Sequence, residues 1–184
     1  MTSVYDDAAS AGLSDRANTA KMTFGGTWNP PKSVFDLYTP RYVSGTGISK
    51  EGLCPICIDS GVKLWSKLKS SAHNYHMNNF HGISSNTCKP FPPPIGFRVQ
   101  ARTAASVQER DEIVQGNCGI CKKWVDIEGI KRGAVKIPEI YWWKHAQQCH
   151  NKHPEKMQDP EGVFKEDALF KKVSAFVARH GDPY

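Results

Sequence analysis

Apolar positions are sparse along the chain and fall into short blocks separated by polar or glycine- and proline-rich stretches. Residues 1–37 show no hydrophobic periodicity and are rich in Ala, Ser, Thr, Asp and Gly, the pattern of a flexible N-terminal arm. Within it, Phe24, Trp28 and the Asn29-Pro30-Pro31 turn are candidates for local docking. Residues 65–80 contain neither Pro nor Gly. Their later part predicts a helix that starts near Ser70 or Ser71 and stops at Gly82, a residue suited to the turn that ends a helix. The run Pro90-Phe91-Pro92-Pro93-Pro94 predicts a stiff, extended connector. Residues 98–115 are mixed and polar, with weak helical spacing through Ala105, Val107, Ile113 and Val114. A second helix is expected from about Pro138 through Tyr141, Trp142 and Trp143, with Pro154 beyond its end. Leu169, Val173, Phe176 and Val177 recur at helical spacing and predict an amphipathic helix that packs, most simply, on its own chain.

Two stretches share one frame. Each has Cys-x-x-Cys, then a Trp (Trp65, Trp124), then a helix carrying His-x4-His. The first module spans residues 41–94 and the second 116–153, within a tandem domain over 38–153, followed by a tail over 154–184. The expected class is small α+β, with a hairpin or loop and a helix in each module.

Zinc takes four soft or borderline ligands in a tetrahedron, and each frame supplies such a set. The ligands read from the pattern are Cys54, Cys57, His76 and His81 in one module and Cys118, Cys121, His145 and His150 in the other, hence two zinc ions per chain. A lone Cys-x-x-Cys is shared with redox motifs; two of them, each followed by a spaced histidine pair, are far more specific. Eighteen residues separate Cys57 from His76 and twenty-three separate Cys121 from His145. The ordinary two-Cys two-His finger has about 12. Residues five apart do not align on a straight helix, so the helix must distort or end before the second histidine. Gly82 makes that easy in the first module. In the second, Cys149 lies four residues after His145 and competes with His150 as the fourth ligand; the first module's spacing favours His150. His73 reads as a helix-surface histidine, Cys88 as a free thiol, and His153 and His180 as exposed. The four tryptophans Trp65, Trp124, Trp142 and Trp143 read as core around the metals.

Charge narrows the partner. The 184 residues carry 24 Lys and Arg against 18 Asp and Glu, a formal charge of +6, which favours an anionic partner such as DNA. Lys67 and Lys69 flank the first helix, and Lys122, Lys123 and Lys144 surround the second; these are the expected phosphate contacts. Asn74, Asn78, Gln147 and Gln148 are candidates to read base edges. The alternative is a zinc-stapled protein-interaction module without sequence-specific DNA binding, its partner held by the tail helix. Closed four-ligand sites leave no open position for metal catalysis, and no nucleophile triad, phosphate loop or zinc-protease signature is present, so neither an enzyme nor a small-molecule substrate is expected. No run of about 18 apolar residues is present, so no membrane partner is expected. Met1–Gly12 lacks the basic and apolar regions of a secretory signal, and six cysteines then point to a reducing compartment.

Particular segments carry a family resemblance. Tyr42-Val43, Glu51-Gly52-Leu53-Cys54-Pro55-Ile56-Cys57, Tyr75-His76-Met77 and His81-Gly82-Ile83-Ser84 are similar to the C-terminal zinc-finger domain of the fungal transcription regulator of ustilagic acid biosynthesis. Gly116-Asn117-Cys118, Cys121, Trp124-Val125, Trp142-Trp143-Lys144-His145-Ala146 and Cys149-His150 resemble its second half, so the match covers about residues 38–150. The resemblance implies a fungal DNA-binding regulator of genes, located in the nucleus rather than the cytoplasm, with the eight ligands named above. The tail over residues 160–180 lies outside it.

Overall fold

A computed structural model describes residues 24–104, 106–153 and 168–184. The N-terminal half forms a four-stranded antiparallel sheet in the order β1 (Thr27–Trp28), β2 (Tyr42–Ser44), β3 (Glu51–Leu53), β4 (Trp65–Lys67). Between β3 and β4 lies the one-turn helix α1 (Pro55–Asp59), and α2 (Ala72–Phe80) follows β4. In the register, Leu53 pairs with both Tyr42 and Trp65, and Gly52 pairs with Val43 and Ser66. A side chain at Gly52 would run into the Pro40 ring, so the sheet closes against that loop only because the position is glycine. The second half forms a three-stranded antiparallel sheet, β5 (Phe97–Ala101), β6 (Glu112–Asn117) and β7 (Trp124–Asp126), followed by α3 (Ile140–His150). The tail contributes α4 (Ala168–His180).

Two features depart from the sequence reading and one agrees with it. Residues 24–37 are built into the fold. Thr27 and Trp28 pair with Val43 and Tyr42, and Val34 and Leu37 are buried in the core with Cys54, Met77 and Ile83. The apolar side chains of this segment, Phe24, Trp28, Val34, Phe35 and Leu37, pack in the fold but do not recur at a helical or strand period. The part of the expected arm over residues 1–23 lies outside the described residues. Second, residues 98–115 form a hairpin instead of a helix-like segment, with Val99 opposite Val114 and Gln100 opposite Ile113. Its β-branched residues suit a pleated surface, and a loop over residues 102–111 separates the two strands, so a window within either strand cannot show the pairing. Third, the tail helix docks on the first module. Val173 is buried in the same core as Met77, Val177 packs beside it, and the backbone N–H of Val34 donates to the Asp182 carboxylate at 3.4 Å. That agrees with self-packing of the amphipathic face. It also removes Val173 from any surface for an outside partner, although Phe176 remains 40% exposed.

Asp36 organises the loop that carries Val34 and Leu37. Its buried carboxylate accepts from the backbone N–H groups of Lys32, Tyr38 and Thr39, each at 2.9 Å. Burial pushes its pKa up, but these donors outweigh that and hold it below the ordinary 3.8. A depressed folded pKa stabilises the fold above 3.8, and that contribution disappears as pH falls through the lower folded value. Asp36→Ala is expected to cost about 1–3 kcal/mol at neutral pH because several donors lose their acceptor. Urea midpoints at pH 7 and near pH 3 measure it; the penalty should shrink at the lower pH.

The two halves pack as one body. α2 lies against α3, and Ser84 donates to the Asn151 side-chain oxygen at 2.7 Å. Asn86 donates to the Asn151 carbonyl at 3.1 Å, and Trp142 Nε1 donates to the Pro92 carbonyl at 3.0 Å. Gly82, with φ of 65°, gives the Trp143 indole the space a side chain would occupy. The proline run is therefore part of the interface as well as a connector.

Candidate metal centres

In the first module the chain leaves β3, and Cys54 caps α1. The Cys54 sulfur accepts from the Cys57 backbone N–H at 3.4 Å, which sets the two thiols on one knuckle. α2 brings His76, and the helix stops at Phe80. His81 is the capping residue with φ of −119°, and Gly82 turns the chain with positive φ. The turn swings His81 back to the cluster, which resolves the five-residue spacing. Cys54 Sγ and His81 Nε2 are 3.4 Å apart, Cys57 Sγ is 3.4 Å from His76 Nε2 and 3.3 Å from His81 Nε2, and the two histidine nitrogens are 3.0 Å apart. Tetrahedral zinc with ordinary bond lengths places ligand atoms roughly 3.3–3.8 Å apart. The observed separations match or lie slightly inside that range, and the donor chemistry is right for zinc.

In the second module Cys118 and Cys121 sit on the turn between β6 and β7, where Lys122 takes positive φ. Cys121 Sγ lies 3.7 Å from His145 Nε2. Cys118 Sγ lies 3.9 Å from Cys149 Sγ and 3.4 Å from His150 Nε2. Five donor residues therefore converge. The set in which every ligand atom lies within 4.8 Å of every other is Cys118, Cys121, His145 and Cys149; in the first module it is Cys54, Cys57, His76 and His81.

Burial shifts several of these groups. It pushes Cys54 and Cys149 up to about 12, and His81 and His150 down to about 4, so these imidazoles are neutral at pH 7. Cys121 is the exception. Burial raises it, but the Lys123 backbone N–H, thiol contacts with Cys118 and Cys149, and the Lys123 charge bring it below its usual value. A metal that binds here displaces protons from the cysteines, so affinity falls as pH falls.

The other sequence candidates sort by exposure. Lys67, Lys69, Lys122, Lys123 and Lys144 are all exposed. Asn78 is fully buried and donates to the Asn74 carbonyl at 2.6 Å and to the Asn74 side-chain oxygen, so neither is free to read a base edge. Gln148 is exposed and Gln147 half-buried. His73 lies inside rather than on the helix surface. Its Nδ1 is 2.8 Å from Ser66 Oγ and its Nε2 is 3.1 Å from the Tyr38 carbonyl. Its three-residue offset from His76 hid the fact that the sheet covers this face. Trp142 is core, but Trp124 is 36% exposed and carries the Arg98 guanidinium 4.5 Å from its ring centre. Cys88 is free and buried, as is consistent with an inert thiol; Cys88→Ser should leave metal content unchanged by elemental analysis.

Two small sheet-and-helix modules, fused through their helices and each closing on a Cys/His cluster placed to hold a metal ion, define a tandem domain with two candidate metal centres. The chain belongs to the family described as transcription regulator Rua1, C-terminal, whose model matches residues 32–150. It is 47% identical over 119 residues to Meiotic expression up-regulated protein 26 of Schizosaccharomyces pombe, covering 62% of this chain and 34% of that protein. It is 34% identical over 116 residues to Transcription regulator rua1 of Mycosarcoma maydis, covering 62% of this chain and 14% of that protein. The similarity thus spans about a third of one curated relative and less of the other. No solved structure matches the chain.

Proposed function

We propose that this chain is a zinc-dependent DNA-binding protein that acts in transcription regulation in the nucleus, with both clusters holding structural zinc. The observation that carries the reading is the pair of four-donor clusters in one packed body of a regulator family, with exposed lysines beside each. Zinc, when bound, supplies charge and tetrahedral cross-links. The chain's own part is to orient the knuckles so that Lys122 and Lys123 project next to the second cluster, and Lys67 and Lys69 extend from β4. Because α2 and α3 pack on each other, a helix lying freely in the major groove is not required; phosphate contacts position the domain.

Each phosphate contact releases condensed counterions, lowering log affinity by about 0.9 per log unit of salt. With about four to six contacts, the slope on duplex DNA is expected near −4 to −5. Changing Lys122 and Lys123 to Gln should flatten it by about 2 while leaving zinc content and circular dichroism unchanged. No binding of the zinc-loaded protein to mixed-sequence duplex at low salt would overturn the DNA reading.

One observation favours the second reading, a protein-interaction module. An open groove of about 760 Å³ runs between the second sheet and α3, walled by Phe91, Pro94, Phe97, Tyr141 and Trp142. In that case DNA affinity at physiological salt would be negligible, and changes along the groove or at Phe176 would abolish capture of a protein partner.

A further inference from the structure

The two modules share His-x4-His in sequence, but their helices end differently. α2 has already stopped when His81 is reached. α3 continues through His150, and even its capping residue Asn151 keeps helical angles, φ −67° and ψ −20°. On a regular helix, a residue four positions on lies about 40° round the axis from its starting point, and one five positions on about 140°. Cys149 therefore projects from the same face as His145, whereas His150 projects from another.

The contacts agree. Cys149 Sγ lies 3.9 Å from Cys118 Sγ and also contacts the Cys121 thiol, and it belongs to the set of mutually close donors. The His150 ring is 1% exposed, walled edge-on by Trp142 and Phe91 and standing edge-on to His145 with ring centres 6.2 Å apart, and the hydrogen-bond contact of its Nε2 with the cluster is to the Cys118 sulfur at 3.4 Å. Its Nδ1 is buried with no hydrogen-bond partner among the described residues. A metal-ligating imidazole ordinarily donates its second nitrogen to an acceptor. An imidazole that donates Nε2–H to a thiolate leaves Nδ1 as a bare lone pair instead of a stranded N–H.

We infer that the second centre is a three-cysteine, one-histidine site formed by Cys118, Cys121, His145 and Cys149. His150 is a positioning residue that donates to the Cys118 thiolate without binding the metal. This replaces the sequence expectation of His150 as the fourth ligand, and it rests on both clusters holding zinc. The site then carries one more negative charge than its neighbour, which the His150 N–H and the adjacent Lys123 offset.

Cobalt substitution separates the outcomes, because thiolate-to-cobalt charge-transfer absorption scales with the number of bound sulfurs. The full chain should take two cobalt ions. Cys149→Ser should lower that absorption by about one fifth if the ion is retained with four bound sulfurs of five, or by about three fifths if the site empties. Cys149→His should return the second ion with one thiolate fewer. His150→Gln should keep both ions and the full absorption, while weakening the second site roughly 10–100-fold as loss of an outer partner does. If Cys149→Ser leaves two ions and unchanged absorption, or if His150→Gln alone empties the site, the assignment is wrong. Failure of the unaltered chain to bind two cobalt ions would overturn the zinc reading itself.

Discussion

Complete removal of zinc by a strong chelator is expected to unfold the described domain cooperatively. Each closed site of this kind contributes about 10 kcal/mol or more of binding free energy that is realised only on folding. Whole domains are stable by only about 5–15 kcal/mol. The buried apolar set is small, and Cys54, one of the proposed ligands, belongs to it with 0% exposure beside Met77 and Val173. Cys118 is equally buried. The His76 and His81 Nε2 atoms lie 3.0 Å apart, close enough for one cation to be held by both. Elemental analysis should find two zinc ions per chain, and chelation should abolish the near-UV circular dichroism. An unchanged near-UV spectrum after full removal would refute the structural role. Cys54→Ser and Cys118→Ser should each lower zinc content.

Gly82→Ala is expected to destabilise the protein by about 3 kcal/mol or more. Two costs coincide there. With φ of 65°, a residue bearing Cβ is strained by roughly 1–2 kcal/mol. The new methyl would also overlap the Trp143 indole, an overpacking cost of typically about 1–3 kcal/mol. Gly61 isolates the first term: its φ is 77° and nothing lies within 4 Å of the space a Cβ would take, so Gly61→Ala should cost only the strain. Trp143→Ala in the Gly82→Ala background should recover part of the loss if the clash is real. Denaturant midpoints for the three variants decide it. Equal costs at Gly82 and Gly61 would mean that the two modules do not depend on this contact. Because Gly82 directly follows His81, Gly82→Ala should also loosen the first zinc site.

The local chemistry of this chain was legible without coordinates. Cys-x-x-Cys knuckles and the helices bearing His76 and His145 announce themselves through spacing that only a few residues span, because thiols on one turn and donors on one helix are near each other whatever the rest of the chain does. The amphipathic stripe through Val173 and Val177 was readable for the same reason. What the tertiary structure decided depends on partners outside the local segment. The strands over residues 97–101 and 112–117 exist because they pair with each other. Val34 and Leu37 are core because they pack with Cys54, Met77 and Ile83 and with Val173 of α4, far along the chain. His73 and Asn78 are buried because a sheet and a second helix lie over faces that look solvent-exposed from their own segment. The same distinction separates His81 from His150. Identical spacing gives different geometry because α2 ends at Phe80 while α3, packed against its neighbours through Trp142 and Trp143, stays helical to its last donor.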